Sequence, residues 1–309
     1  MTRRKFLARS SAIVGLAARA CGTLAAPAHG VPQFYDQAKL YRAGISSWSF
    51  RNFFASTRSP DFREPGPAIA LLDFPEIVRD RYLVSRVEFA SPHFATNEPE
   101  YLFELRRKLS QARSRLVNIS LRAPELDAGA GLSDRDPAIR GAAVLVVKKW
   151  IDAAHRLGST AVSSQPGQIN PGDLTPTLSS YRDLASYGRL RGVEVLIENG
   201  SGAEPGDVLD VIREVGGRST GALPVFASFS SRGARIEGLE LLFPRAGALC
   251  HAAGVSFDDE GNETAFDFQA CIEIAKRYHF RGIYCANYIG NDDPYQGVQH
   301  VLNELIRYL

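Results

Sequence analysis

The chain has 309 residues, 36 of them basic and 34 acidic, with 45% hydrophobic and 23% charged residues. That is ordinary globular composition, long enough for one barrel domain of about 250 residues, and it excludes a disordered or low-complexity chain. The first 29 residues hold Arg3, Arg4, Lys5, Arg9 and Arg19 and no acid, so without them 31 of the 36 cations face 34 acids; a balance near −3 argues against a nucleic-acid partner.

At the N-terminus, Thr2-Arg3-Arg4-Lys5-Phe6-Leu7 precedes a short apolar stretch over residues 12–18, well below the ~20 apolar residues that cross a bilayer. The run resembles the twin-arginine signal pattern, and Ala26-Pro27-Ala28 supplies small residues where a signal peptidase cuts. Residues 1–29 therefore read as a signal peptide and residues 30–309 as the mature domain. The expected location is periplasmic or extracellular, with no membrane span in the mature protein. Cys21 leaves with the leader, and Cys250, Cys271 and Cys285 remain, an odd set that reads as buried thiols and not as a disulfide framework.

Downstream, short β-branched runs alternate with helix-period segments. Strands are predicted near residues 43–48, 84–90, 115–121, 159–164, 193–199, 222–229, 247–252 and 282–288. Eight βα units in order imply an α/β fold, a single (β/α)8 TIM barrel. Asp73 is placed to cap a helix with Pro75 in its first turn. The segment from Asp136-Pro137 to Leu157-Gly158 repeats apolar residues at Val144, Val147, Ile151 and Ala154 and stops at glycine. The longest connection, Phe50 to Pro67, carries Phe50, Phe53 and Phe54 and reads as an apolar wall or lid for a ligand. Lys148 and Lys149 read as a solvated helix face, and Asp258, Asp259 and Glu260 as a solvated turn around Gly261.

Three motifs are more specific. Val195-Leu196-Ile197-Glu198-Asn199 ends a buried strand in polar residues, Leu249-Cys250-His251-Ala252 places a histidine after an apolar strand, and the acidic run from Asp258 leads to Asp267-Phe268 at a helix start. Together with Ser47-Trp48-Ser49-Phe50 and Val87-Glu88-Phe89, they resemble the xylose isomerase-like family of sugar isomerases and epimerases, a superfamily that also includes an abasic-site endonuclease class. The likeness spans residues 40 to 309.

The resemblance implies a divalent cation at the barrel mouth, held by Glu, Asp, His and Glu from strands five to eight. Moving a proton between the carbons of an α-hydroxy carbonyl needs a base and a cation to stabilise the enediolate oxygen. Glu198 and His251 match the pattern as catalytic residues and metal ligands. Ser228 stands at the aspartate and Asn287 at the second glutamate, so the expected site holds Mn, Mg or Zn weakly or not at all. Gly200-Ser201 replaces the usual His-Gly pair. Trp48, Phe50, Glu88, His93 and Asn287 are the expected substrate-binding residues, and the expected ligand is a small carbohydrate. The alternative is a catalytically silent carbohydrate-binding or interaction protein. Six histidines, one of them in the leader, are too few for the multi-metal cluster of the endonuclease class.

Overall fold

The computed structural model describes residues 36–62, 68–200, 202–217 and 219–309. The signal segment expected over residues 1–29 lies outside them. Eight strands follow in chain order: β1 (Ala43–Ser46), β2 (Arg86–Ala90), β3 (Arg115–Ser120), β4 (Ala161–Ser164), β5 (Glu194–Glu198), β6 (Thr220–Leu223), β7 (Leu249–Gly254) and β8 (Ile283–Tyr288). All pair in parallel in the order β6-β5-β4-β3-β2-β1-β8-β7. The β6 to β7 seam closes the ring through single parallel bridges, Ala222 with Ala246 and Val225 with His251, and through bonds from Gly247 N to Ala222 O (2.8 Å) and His251 N to Pro224 O (2.9 Å). The backbones meet closely here: a β-carbon on Gly221 would stand 3.0 Å from Gly247. The expected single (β/α)8 barrel is the architecture found.

Strand alternation builds two cores. On β5, Val195 and Ile197 pack outward against the helices; on β8, Tyr284, Ala286 and Tyr288 do the same. The opposite parity fills the barrel: Ala161, Leu196, Leu223, Val225, Leu249 and Cys285 form a separate apolar cluster. Cys250, Cys271 and Cys285 are buried free thiols, as the sequence indicates.

The helix over Pro137–Leu157 starts at Asp136, whose side chain accepts from Ala138 N, and stops at Gly158 in the left-handed conformation (φ 76°). Three expectations change. Asp73 sits at the N-cap of the helix over Phe74–Tyr82 without making a side-chain cap bond; its carboxylate meets Lys108 Nζ instead, at 3.4 Å. The sixth strand ends at Leu223 and not near 229, because Pro224 has no N–H to continue the ladder and the chain then turns, with Ser228 N donating to Val225 O at 3.3 Å. The connection after β1 begins with a 3-10 segment, Ser47–Phe53, in which Phe50 is fully buried against Phe74 and Tyr295 at ring distances of 5.6 and 5.1 Å. Phe50 and Phe54 thus belong to the core. Phe53 and Phe62, with Asp61 and Asp292, line a rim cavity of about 580 Å3 that none of Glu88, Glu198 and His251 touches. No helix among the described residues is long and apolar enough to cross a membrane.

Candidate functional site at the barrel mouth

The inward-facing residues become polar toward the C-terminal ends of the strands, where barrel chemistry is housed. Glu88 on β2 and His251 on β7 are joined across the barrel, His251 Nε2 lying 2.9 Å from Glu88 Oε2. The same carboxylate oxygen accepts from Asn118 Nδ2 on β3 at 2.8 Å. Asn118 Nδ2 also donates to Ser163 Oγ on β4 (2.8 Å). Ser163 Oγ passes its own hydrogen to Glu198 Oε1 on β5 (2.8 Å), and Ser120 Oγ donates to the same oxygen (3.2 Å). One network therefore runs His251, Glu88, Asn118, Ser163, Glu198, tying five strands together. Glu88 is 0% exposed, His251 2% and Glu198 4%.

Each partner favours the charged form of the other. Burial pushes the Glu88 carboxyl up, but the charge and hydrogen bond of His251 and the Asn118 amide outweigh it and hold the group below the usual glutamate range. Burial likewise opposes charge on His251, yet Glu88 beside it, with Glu198 further off, raises its pKa above the ordinary histidine value. Burial pushes the Cys285 thiol well up, which with its place in the inner apolar cluster makes it a packing residue.

The structure brings Glu88, Glu198 and His251 into one network. Asn287 lies beyond them on β8, opposite Ala253, 4% exposed and with its Oδ1 buried and unpartnered. Trp48 stands at the mouth, stacked near His93 (5.9 Å, 16°). His93 makes a different set of contacts: its ring lies 3.7 Å from Phe54, with Nδ1 2.8 Å from Ser47 Oγ and Nε2 3.0 Å from Thr57 Oγ1. Ser228 is exposed in the turn after β6. The residue level with His251 is Val225, so Val225, not Ser228, occupies the inward position on that strand.

Asn118, Ser120 and Ser163 were not legible as site residues. Their signal is parity: polar side chains at alternate positions of otherwise apolar buried strands face the barrel interior. Asn199, beside Glu198 in the fifth-strand motif, is structural, since its Oδ1 accepts from Val225 N at 2.8 Å and pins the end of β6. Among the described residues, no group of three or more His, Cys, Asp and Glu side chains is arranged to hold a metal ion.

No curated protein matches the sequence. Solved structures do share the fold. One is a xylose isomerase domain protein from Planctomyces limnophilus, with TM-score 0.63, 16% identity, and 85% of this chain and 94% of that one covered. A second is a xylose isomerase-like TIM barrel protein from Mycobacterium smegmatis in complex with magnesium (0.60, 15%, 87% and 98%). A third is D-psicose 3-epimerase with D-tagatose from Clostridium cellulolyticum H10 (0.59, 13%, 86% and 96%). Identities this low speak to fold alone. The family pattern described as a xylose isomerase-like TIM barrel matches residues 85–307, from β2 through the last helix, and the chain belongs to that family.

Proposed function

We propose that this chain is an exported barrel of the sugar isomerase and epimerase type that takes a small carbohydrate at its C-terminal mouth, with a hydrogen-bonded charge network in place of an intact divalent-metal centre. The observation that carries the reading is the continuous path from the buried Glu88–His251 pair to Glu198. Burying charge is costly unless the groups are paired and hydrogen-bonded, and here three ionisable groups converge where sugar-converting barrels place their chemistry.

The donors present do not fit a divalent cation. Val225 is apolar at the sixth-strand position, Asn287 is neutral at the eighth, and His251 Nε2 is engaged by Glu88. The cationic groups here are instead His251, whose proton Glu88 favours, and the Arg122 guanidinium over Trp48. Two serine hydroxyls orient one oxygen of Glu198, leaving the other to accept a proton from a carbon next to a carbonyl. His251, fixed through Nε2, keeps Nδ1 for a substrate oxygen. Among the described residues, Glu198 is the carboxylate of this network outside the His251 pair, so returning the proton on the opposite face lacks a second base there, and this favours the alternative of a barrel that binds its sugar without turning it over.

Calorimetric titration with aldoses, ketoses and sugar acids in excess EDTA tests the reading. At least one should bind, and Glu198→Gln should weaken it tenfold or more. Loss of a substrate C–H signal in D2O would mark turnover. Binding that needs added metal would contradict the proposal. Export is tested separately: Arg3→Lys with Arg4→Lys should hold the precursor in the cytoplasm, and undiminished appearance outside it would refute a twin-arginine route.

A further inference from the structure

We infer that Arg122 is an anion-recognition residue at the barrel mouth, and that the carbohydrate this site takes carries an acidic group. The inference rests on the mouth being the ligand site.

The position follows from strand alternation. Asn118, Ser120 and Arg122 share one parity along β3 and its exit: Asn118 reaches Glu88 and Ser163 in the interior, Ser120 reaches Glu198 one step higher, and Arg122 comes next, at the rim. Its backbone is fixed, since Arg122 N donates to Ser91 Oγ at 2.9 Å and Ser91 Oγ donates to Arg122 O at 2.9 Å. Its guanidinium carbon stands over the Trp48 ring, 4.3 Å from the centroid, a cation–π contact that holds the fork in place.

What the guanidinium lacks is an anion. Among the described residues no carboxylate pairs with it, and its Nε is buried without a partner. Arg51 is the contrast. It also stands where the chain leaves a strand at the mouth, but its guanidinium donates to the carbonyls of Tyr288, Ile289 and Gly290 (3.3, 3.0 and 2.9 Å) and is consumed by structure. An arginine that is partly desolvated, stacked and unpaired presents its donors to whatever enters, and its fork matches carboxylate and phosphate oxygens. A sugar reaching Glu198 with an oxyanion on Arg122 would be held at two points, and Trp48 would report its arrival.

The test uses the chain's two tryptophans. In a Trp150→Phe background, fluorescence comes from Trp48 alone. It is titrated with D-gluconate and D-glucuronate as carboxylates, D-glucose 6-phosphate as a phosphate, and D-glucose and D-fructose as neutral sugars. The expected result is that an acidic sugar changes Trp48 emission and binds at least tenfold more tightly than its neutral counterpart. Arg122→Gln should remove that preference, and Arg122→Lys should restore only part of it. Comparing carboxylate with phosphate identifies which oxyanion is meant. Neutral sugars binding as well as acidic ones, with Arg122→Gln without effect, would overturn this inference and leave the mouth reading standing. No response to any sugar by fluorescence or calorimetry would overturn both.

Discussion

Replacing His251 with leucine is expected to lower stability by about 3–5 kcal/mol, because it strands the Glu88 carboxylate in the barrel interior. Glu88 is fully buried and one of its oxygens, Oε1, has no partner even in the intact protein. Without His251, only neutral donors remain to it, the Asn118 amide and the Ser46 hydroxyl. The carboxyl would have to take up a proton or remain charged in a low-dielectric core, and both cost free energy. Removing the charge as well, in the double variant Glu88→Met with His251→Leu, should recover much of the loss, since apolar replacements of a buried pair are often close to neutral. Urea unfolding of the two single variants and the double variant gives the coupling energy. A single-variant cost below about 1 kcal/mol, the range of exposed ion pairs, would mean that the pair is not buried as described.

The second large effect is a pH dependence set by His93. Its hydrogen bonds determine its tautomer. Thr57 Oγ1 donates its one hydrogen to Arg51 O at 2.6 Å, so toward His93 it accepts, and Nε2 carries the proton. Nδ1 then accepts from Ser47 Oγ, which itself accepts from Ala90 N at 2.9 Å. The chain is complete only with a neutral ring. Burial, reinforced by the Arg122 charge, pushes the pKa down to about 3. Between the ordinary value near 6.5 and about 3, the unfolded state binds a proton that the folded state refuses. Stability from this residue is therefore fully present above pH 6.5 and declines as the pH falls, by up to about 1.4 kcal/mol per unit. Below about 3 both states are protonated and the slope ends. The comparison of unfolding free energies from pH 6.5 to 4 should show a slope smaller by close to one proton in His93→Asn. Equal slopes would show that His93 titrates freely in the fold.

His93 also shows where the sequence was legible and where it was not. Strand order, barrel class and most strand limits follow from apolar runs alternating with helix-period segments, because parallel strands buried on both faces leave a continuous signal. The motifs single out Glu198 and His251, which the structure joins in one hydrogen-bond network. Facing direction at a bend was the missing information. Ser228 matched the family aspartate by its aromatic neighbour, but Pro224 ends β6 early and moves Val225 into line with His251. Phe50 and His93 adjoin true mouth residues in sequence, yet the 3-10 segment after β1 turns Phe50 into the aromatic core. The partners of Glu198, namely Ser120 and Ser163, are common residue types whose role emerges only when β3, β4 and β5 are set side by side.

The central claim, that hydrogen bonds and the buried Glu88–His251 pair organise this mouth in place of a metal, is tested most directly by calorimetric titration with Mn2+ of the unmodified protein and of the double variant Val225→Asp, Asn287→Glu. The unmodified protein should show no tight one-to-one binding. The variant, with two carboxylates returned to the ring that holds Glu198 and His251, should bind measurably more tightly. Tight stoichiometric Mn2+ binding to the unmodified protein would contradict the claim, since His251 Nε2 would then have to leave Glu88 to serve the metal.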